Sequence, residues 1–462
     1  MFEAETYSDR RSRLKSSLDS GLILFLGHDE SPMNFKDNPY RFRQDSSFLY
    51  YLGLDSPSLA GLIDLDEGRE VLFGDDPTVD DVVWTGPRTP FAEQAEAVGV
   101  RETAPTSQLA EVLAAARKEG RVIHLLPPLR PQTVLELQRL LELGPEAIDQ
   151  QVSRQLVRAV IAQRAIKSNE EIAEIEGALE ITWGMHTEAM KMARPGVREQ
   201  EVAGAVEGIA VGRGGALAFP VIFSVRGEVL HNHSHGNIMQ EGDLAIHDSG
   251  GESPGHYAGD ITRTIPIGGR FSDRQKEIYS IVLTALEEAI EAVAPGVPFR
   301  DIHLLACRRI AAGLGELGLM RGDVDEAVKA GAHALFFPHG LGHMMGLDVH
   351  DMEGLGEDEV GYDETTERSS KFGLAYLRLA RALQPGFVIT VEPGIYLIPQ
   401  LIDRWRSEGK HEEFIDYERV EAYRDFGGVR IEDDVVVLEE GYRILGRPIP
   451  RAVEEVEDWA SR

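Results

Sequence analysis

The alternation of apolar runs and turn residues predicts an α/β arrangement for the first third of the chain. Short apolar runs bounded by turn residues predict strands, and apolar residues at helical spacing predict the helices between them. The predicted strands are residues 21–27, 48–53, 59–65, 70–73 and 121–126, and the predicted helices are residues 9–18, 107–118 and 133–143. The turn Asp66-Glu67-Gly68 predicts a hairpin between the third and fourth of these strands.

One segment of this region is unusually polar and aromatic, namely Tyr40-Arg41-Phe42-Arg43-Gln44-Asp45-Ser46-Ser47-Phe48. It is interpreted either as a surface loop that enters a strand or as a rim that closes the active site of this chain or of a neighbouring one. The region otherwise lacks clustered acids, histidines or phosphate-loop glycines. We therefore expect it to shape a cleft or an oligomer contact.

The rest of the chain contains an internal repeat. Ser168–Glu171 and Ser272–Gln275 both have capping-box spacing, and each precedes apolar residues on one helical face. Both predicted helices end at a Pro-Gly pair, Pro195-Gly196 and Pro295-Gly296, and a second helix follows in each copy.

The strands repeat as well. In each copy a predicted strand ends in an acid, Asp248 or Glu392, six residues after a turn glycine. Each of these acids is followed by a loop and by another acid, Asp260 or Glu432, that begins a β-rich run. We infer two similar halves, each a helix pair plus a strand pair, packed as layers on one core.

Acids that end one strand and begin the next lie side by side when the strands are antiparallel neighbours. Two such pairs facing each other would place four carboxylates together, where they repel strongly unless a cation is bound. With one imidazole they form a hard, oxygen-rich site that suits Mn²⁺, with Co²⁺, Fe²⁺ and Zn²⁺ as competitors. Five ligands, some of them bridging, suit two ions roughly 3.5 Å apart. The alternative for each single acid is a solvated strand cap.

The imidazole is expected from residues 337–351, which contain His339, His343 and His350 among glycines. Glycines allow tight turns that bring side chains together. The His-x-x-x-His spacing does not predict a helical zinc site, because the acid after the first histidine is absent and glycines interrupt the stretch. A loop with solvated histidines is the alternative.

Composition narrows the possible functions. The 462 residues are enough for two domains, and the formal net charge of −31 argues against a nucleic-acid partner. This charge fits a solvated acidic surface, adaptation to high salt, or acids that bind metal. The single cysteine, Cys307, excludes an internal disulfide and a thiolate metal cluster, which fits a reducing cytoplasm. We expect no membrane segment and no secretory signal.

Five segments together resemble the pita-bread metallopeptidases, in particular the group of Xaa-Pro aminopeptidases (aminopeptidase P) and prolidases. They are Asp248-Ser249-Gly250-Gly251, Gly259-Asp260-Ile261-Thr262-Arg263-Thr264, His339-Gly340-Leu341-Gly342-His343, Val391-Glu392-Pro393-Gly394-Ile395-Tyr396 and Val429-Arg430-Ile431-Glu432-Asp433. The resemblance covers roughly residues 160–450 and extends more weakly to the N-terminal part. It implies an α/β N-terminal domain (1–160) followed by an α+β pita-bread catalytic domain (161–462) with an internal pseudo-twofold repeat.

The resemblance also implies residue roles and an activity. The metal ligands would be Asp248, Asp260, His343, Glu392 and Glu432, with Asp260 and Glu432 bridging two divalent ions, most simply Mn²⁺. His231 and His350 would contact the substrate and the scissile carbonyl, His339 would line the proline pocket, and Tyr396 would also bind substrate. Arg430 would support proton transfer, and Glu392 would also shuttle a proton. The implied enzyme is a metal-dependent exopeptidase that cleaves between an N-terminal residue and a following proline by attack of a hydroxide bridging the ions. A homodimer is also implied.

The sequence departs from the family in two places. The loop between Asp248 and Asp260 is one residue longer than usual, and Gly255-His256-Tyr257 is predicted to carry the extra residue as a bulge, which leaves open which acid points inward. A long segment from about Pro399 to Asp425 resembles the prolidase branch.

Arg378 bears on the choice between dipeptidase and aminopeptidase. It matches the position where prolidase-like enzymes place an arginine for the C-terminal carboxylate of the substrate, and guanidinium binds carboxylate in a bidentate manner. The alternative is a solvated helix face on which Arg378 pairs with a nearby acid.

Other functions remain open at this point. The same site would suit a general aminopeptidase or incidental phosphotriester hydrolysis. A metal-free pita-bread module that only binds peptides, histones or other proteins, and a creatinase-like C–N hydrolase without metal, share the fold. The presence of all five ligand residues counts against these last two.

Overall fold

The computed structural model describes residues 2–462 of the chain. Its contacts define a first unit, which runs up to Arg164 and includes Gly354–Gly356, and a second unit, which comprises Ala165–Glu353 and Glu357–Arg462. No helix within residues 2–462 has both the length and the apolar character needed to cross a membrane.

The first unit is built on a mixed five-stranded sheet. Its elements are α1 Ala4–Lys15, β1 Leu22–Leu26, α2 Ser46–Leu52, β2 Ala60–Asp64, β3 Arg69–Phe73, α3 Val79–Thr85, α4 Phe91–Ala97, β4 Glu102–Ala104, α5 Leu109–Lys118, β5 Ile123–His124, α6 Pro131–Leu141, α7 Pro145–Gln151 and α8 Arg154–Ala165. The strand order is β4-β3-β2-β1-β5. The predicted hairpin is confirmed, because β2 and β3 pair antiparallel with Leu62 opposite Val71.

One predicted strand of this unit is wrong. Residues 48–53 belong to helix α2, whose N-terminus is capped by Asp45 accepting from the backbone N–H of Phe48 at 2.8 Å. Every residue of α2 is buried, and Arg10 and Arg11 donate to the carbonyls of Tyr50 and Tyr51 near its C-terminus. A short run that is buried on all sides has no polar face, so its sequence does not distinguish helix from strand.

The polar segment before α2 contains a structural residue. Gln44 is buried, and its Oε1 accepts from the backbone N–H groups of His28 at 2.6 Å and Asp45 at 2.9 Å. These bonds anchor the chain where it enters α2. The idea that residues 40–48 close an active site stays a prediction.

The second unit has the pita-bread architecture of helix pairs around paired antiparallel strands. Its helices are α9 Asn169–Met192, α10 Glu199–Gly212, α11 Asp273–Glu291, α12 Phe299–Glu316, α13 Val324–Ala330, α14 Glu357–Gly361, α15 Pro399–Ser407, α16 Tyr417–Glu421 and α17 Val453–Ala460. Its strands are β6 Ala216–Leu217, β7 Ile222–Ser224, β8 Leu244–Ser249, β9 Gly251–Glu252, β10 Ile261–Pro266, β11 Val388–Val391, β12 Gly394–Tyr396, β13 Gly428–Arg430, β14 Asp433–Val437 and β15 Tyr442–Ile444.

The predicted repeat of helix starts is confirmed. Ser168 and Ser272 each accept from the backbone N–H three residues on, and the side chains of Glu171 and Gln275 return the bond to the cap residue. Each of these long helices is followed by a second helix that packs against it, α10 after α9 and α12 after α11. The local capping pattern therefore marks the same position in both halves of the fold.

The loop between Asp248 and Asp260 contains a compact turn. The backbone N–H of Ser253 donates to the carbonyl of Tyr257 at 2.8 Å, and His256 adopts a left-handed conformation with φ of 69°. The turn lies beyond the end of β9, outside the β8–β10 pairing that places Thr262 opposite Asp248. Both acids consequently lie at the strand ends, while the extra residue relative to the family stays a prediction.

Gly250 lets the two chains of this strand pair approach closely. A Cβ at Gly250 would lie 1.6 Å from the carbonyl oxygen of Gly259, which is backbone and cannot turn aside. We expect Gly250→Ala to lower the free energy of unfolding by about 1–3 kcal/mol, the usual range for overpacking. Chemical denaturation measures this change.

Gly204→Ala is the matched control. Gly204 is an exposed residue inside α10, and a Cβ there meets nothing within 4 Å. This variant should raise the free energy of unfolding by about 0.5–1 kcal/mol, since alanine favours helix over glycine. Equal effects of the two substitutions would contradict the close approach at Gly250.

Candidate active site

Four carboxylates reach one cavity from two antiparallel strand pairs. Asp248 lies on β8 and Asp260 directly precedes β10, while Glu392 directly follows β11 and Glu432 directly precedes β14. The register places Ile261 opposite Ser249 in the first pair and Val391 opposite Asp433 in the second. Each pair therefore delivers two neighbouring acids at the same strand ends.

His343 joins this cluster from the glycine-rich segment. Its backbone N–H donates to Oγ1 of Thr390 at 3.1 Å, and its carbonyl accepts from the N–H of Thr390 at 3.0 Å. The ring Nδ1 is 3.0 Å from the carbonyl of Met344, which fixes the proton on Nδ1. Nε2 then faces the acids, 3.4 Å from Oδ2 of Asp260 and 3.9 Å from Oε1 of Glu392.

Burial and mutual repulsion make the ionised acids costly. Burial, followed by the charges of Asp248, Asp434 and Glu392, raises the pKa of Asp260 well above its ordinary value. Burial and then the charge of Asp260 do the same to the pKa of Glu432. Burial also raises the pKa of Glu392.

Arg430 is the buried cation of the cluster. Its guanidinium donates to Oδ2 of Asp248 at 2.6 Å, to the hydroxyl of Tyr396 at 2.9 Å and to Oγ1 of Thr262 at 3.2 Å. Thr262 in turn donates to Oε2 of Glu432 at 2.7 Å. Arg430 thus orients two of the acids, one directly and one through a threonine.

His339 lies on the other side of Tyr396. Its Nε2 is 2.8 Å from the Tyr396 hydroxyl and its Nδ1 is 2.8 Å from the carbonyl of Gly340. The imidazole donates from Nδ1, because the carbonyl of Gly340 can only accept, and its Nε2 then accepts from the Tyr396 hydroxyl. Burial, followed by the charge of Arg430, lowers the pKa of His339 to about 3, so the ring is neutral near pH 7.

Two further histidines among the predicted site residues border the cavity. The ring of His350 lies 4.1 Å from that of His343, and its Nδ1 contacts Oε2 of Glu353 at 3.1 Å. Burial, then the neighbouring His343, lowers the pKa of His350 to about 4. His231 is more exposed, and partial burial lowers its pKa as well.

Arg378 also lines the cavity, outside any helix. Its Nη1 donates to Oε2 of Glu353 at 2.6 Å and to Oε2 of Glu357 at 3.1 Å. The expectation of pairing with a nearby acid is therefore confirmed, while the expectation of a helix face is wrong. Both contacts use one nitrogen of the guanidinium.

These residues surround a single cavity of about 560 Å³. The predicted site residues that line it are Asp248, Asp260, His343, Glu392, Glu432, His231, His339, His350, Arg378 and Arg430. Tyr396 reaches it through its bonds to His339 and Arg430. Apolar side chains, among them Phe219, Ile222 and Phe372, form other parts of the wall.

Sequence reasoning missed the residues that support the acids from behind. Thr262 was quoted only as part of a motif, and Asp434 was not singled out, although its Oδ2 accepts from the backbone N–H of Asp260 at 3.0 Å. Arg263 donates to the carbonyl of Glu432 at 2.6 Å and to Oδ1 of Asp433 at 2.7 Å. The partners named for these residues lie at least 168 positions away in the chain, so local patterns carry no signal for them.

The donors fit a divalent cation. Ligand atoms of Asp260, His343 and Glu432 lie within 4.8 Å of one another, and all three residues are buried. Oδ1 of Asp248 and Oδ1 of Asp260 are buried oxygens without a hydrogen-bond partner among residues 2–462. Such oxygens, beside the Nε2 of an imidazole, are the donors that hard or borderline divalent ions prefer.

Comparison with known proteins identifies the family of this chain. The model of metallopeptidase family M24 matches residues 173–439, and that of the aminopeptidase P N-terminal domain matches residues 7–124. The chain therefore belongs to metallopeptidase family M24. The family implies divalent metal ions, and the protein is a metallopeptidase.

Particular relatives extend over nearly the whole chain. A human Xaa-Pro dipeptidase is 34% identical over 97% of this chain and 90% of its own length. An Escherichia coli Xaa-Pro aminopeptidase is 31% identical over 98% of this chain and 97% of its own length. The structure of Pseudomonas aeruginosa aminopeptidase PepP superposes with a TM-score of 0.82 at 28% identity, covering 100% of this chain and 98% of that one.

Asp260→Asn should change stability in opposite directions with and without metal. In metal-free protein the raised pKa of Asp260 makes its ionisation destabilising, so the variant should be the more stable, increasingly so as pH rises above about 4, the ordinary value for aspartate. In wild type, an ion at 100 times its Kd adds about 2.7 kcal/mol, and the variant should lose most of this gain. Thermal unfolding with and without Mn²⁺ measures both effects.

The control for this comparison is Glu207→Gln, which removes an exposed acid from α10. It should leave the stabilisation by Mn²⁺ unchanged. A metal-free Asp260→Asn protein that is less stable than wild type at pH 7 would contradict the electrostatic account of the site.

Proposed function

We propose that this metallopeptidase hydrolyses the peptide bond between an N-terminal residue and a following proline. The observation that carries the proposal is the convergence of four carboxylates, His343 and the lining histidines on one cavity. The human and Escherichia coli relatives, named Xaa-Pro dipeptidase and Xaa-Pro aminopeptidase, support the same substrate class.

The proposed metal site holds two divalent ions, with Mn²⁺ preferred and Co²⁺, Fe²⁺ or Zn²⁺ as alternatives. Asp248, Asp260, His343, Glu392 and Glu432 would hold them, and Asp260 and Glu432 would bridge. Bound ions supply a water of lowered pKa and act as Lewis acids toward the scissile carbonyl. Oxygen-rich donors favour Mn²⁺ among these ions.

The side chains around the ions orient the substrate and carry its protons. Glu392 has a raised pKa, which suits a group that takes a proton and returns it to the leaving nitrogen. His231 and His350 would contact the substrate near the scissile carbonyl. Arg430 would hold the side chains of Asp248 and Tyr396 in place during proton transfer.

The proposed proline pocket lies at His339. Its imidazole is held in one tautomer by Gly340 and Tyr396, so it presents a neutral ring surface. Phe337 contacts this ring edge-on, with centroids 4.8 Å apart. A rigid, uncharged aromatic wall suits an apolar ring such as that of proline.

A strict dipeptidase is the second candidate, and Arg378 favours it. Its guanidinium is held at the cavity by Glu353 and Glu357 through Nη1. Its other nitrogens would meet the free carboxylate that a dipeptide carries directly after proline. Longer peptides lack a carboxylate at that position.

Assays with different substrates distinguish the proposed activity from other activities of the same site. A general aminopeptidase would cleave Ala-Ala as well as Ala-Pro, and phosphotriester hydrolysis would be incidental to the same metal site. A metal-free binding module or a creatinase-like hydrolase would not need the five metal-type donors that this chain has. We also propose that the protein is cytoplasmic, that it forms a homodimer, and that its domain boundary lies at residue 160.

Arg378→Ala should raise the KM for an Xaa-Pro dipeptide far more than the KM for a longer Xaa-Pro peptide. The loss of charge-assisted hydrogen bonds is worth roughly 1.5–3 kcal/mol, which corresponds to about tenfold to 100-fold in KM. Steady-state kinetics on both substrates measures the change in each KM.

Arg368→Ala is the matched control, because Arg368 also pairs with Glu357 but is not part of the cavity wall. It should leave the ratio of the two KM values unchanged. Equal effects of Arg378→Ala on dipeptide and longer peptide would remove the argument for a dipeptidase.

Chelation should abolish Xaa-Pro cleavage, and Mn²⁺ should restore it, because the acids cannot activate water without a cation. Activity assays combined with elemental analysis check this, and two ions per chain are expected at full activity. Cleavage that persists after the metal content has fallen to zero would refute the proposed function.

A further inference from the structure

A second cluster of metal-type donors lies in the same unit and shares no residue with the acidic centre. It comprises His303 and Cys307 on α12 and His333 on a short 3₁₀ helix, Ala332–Leu335. One nitrogen from each histidine and the sulfur of Cys307 lie within 4.8 Å of one another. All three side chains are fully buried.

The spacing along α12 explains why two of the donors meet. His303 and Cys307 are four residues apart, so both lie on one face of the helix. Nε2 of His303 is 3.4 Å from Sγ of Cys307. This separation matches that of two donors on one ion, since metal–sulfur and metal–nitrogen bonds are about 2.3 and 2.0 Å.

Hydrogen bonding within the protein satisfies only the contact between Nε2 of His303 and Sγ of Cys307 in this cluster. Nδ1 of His303 and both ring nitrogens of His333 are buried without a hydrogen-bond partner among residues 2–462. A buried polar group without a partner is costly, so buried histidines are normally paired. A cation that takes a nitrogen of each ring and the sulfur removes part of this cost.

Charge balance selects the kind of ion. A histidine nitrogen binds a metal ion only in its deprotonated form, so both rings would be neutral ligands. Neither the donors nor the groups that act on them electrostatically include a carboxylate. One thiolate therefore neutralises a monovalent ion, whereas a divalent ion would leave a buried positive charge.

We propose that His303, Cys307 and His333 form a binding site for a soft monovalent cation of the Cu⁺ type. Thiolate and imidazole donors suit this ion, whereas the oxygen-rich active centre does not. On binding, the Cys307 thiol loses its proton to solvent as the sulfur–metal bond forms, with no change of oxidation state. One proton is released for each ion bound.

The site would tie α12 to the segment that leads into the active centre. The ring of Phe337 lies 5.5 Å from that of His303 and 4.8 Å from that of His339, so a single aromatic side chain separates the cluster from the cavity wall. Occupancy is therefore expected to stabilise the start of the histidine-bearing segment.

The test is an anaerobic titration of metal-free, full-length protein with Cu⁺ supplied from a coloured competing chelator. One ion per chain should transfer, with a near-ultraviolet thiolate-to-copper absorption and the release of one proton. Cys307 is the only cysteine of the chain, so this absorption reports on the proposed site alone. Cys307→Ser should abolish the band, and His333→Leu should weaken binding at least about tenfold.

His124→Asn is the matched control. His124 is a buried histidine whose nitrogens contact the Ser153 hydroxyl at 2.8 Å and the Ser20 carbonyl at 3.0 Å. The His124→Asn variant should bind Cu⁺ as tightly as the wild-type protein does. Circular dichroism and Mn²⁺-dependent peptidase activity verify that each variant is folded, and His333→Leu serves if Cys307→Ser does not fold.

Three results would overturn the proposal. They are a failure of wild type to take Cu⁺ from the chelator, binding that is unchanged in folded Cys307→Ser or His333→Leu, and displacement of the copper band by an equal amount of Zn²⁺. The last result would specifically refute the assignment to a monovalent ion.

Discussion

The repulsion among four buried carboxylates is the constraint on which the rest of the structure depends. Asp248, Asp260, Glu392 and Glu432 line one cavity, and Arg430 is the buried cation that pairs with one of them. Burial raises the pKa values of Asp260 and Glu432, so without further positive charge the ionised cluster opposes folding. Bound divalent ions would offset this repulsion, because each carboxylate would then face a positive charge. The same atoms that destabilise the metal-free protein thus create its catalytic potential.

The fold places the four acids by repeating one antiparallel strand pair in each half of the second unit. Each half contributes an antiparallel strand pair that carries an acid at the end of one strand and at the start of the next. Donors behind the strands, above all Thr262 and Arg263, hold the acids at fixed angles. The histidine segment then docks onto β11 through Thr390 and presents Nε2 of His343. Rigid elements therefore set the positions of the donors before any ion binds.

The sequence predicted those parts of this arrangement that rest on local patterns. The capping boxes at Ser168 and Ser272 and the hairpin of β2 and β3 were found because their signals lie within a few residues. Helix α2 was mistaken for a strand, since burial on all sides removed its periodicity. The partnership of Cys307 with His333 was not foreseen, because a fold, and not a spacing, brings them together. Arg378 was predicted only in part. Its pairing with nearby acids was expected, but it lies outside any helix.

The central claim is that the four acids and His343 share a pair of divalent ions, and anomalous diffraction from crystals grown with Mn²⁺ tests it most directly. The account predicts two manganese peaks roughly 3.5–4 Å apart, with the carboxylates of Asp260 and Glu432 against both. Nε2 of His343 should contact one of the peaks. Crystals saturated with Mn²⁺ that show no anomalous density between Asp260 and Glu432 would contradict it.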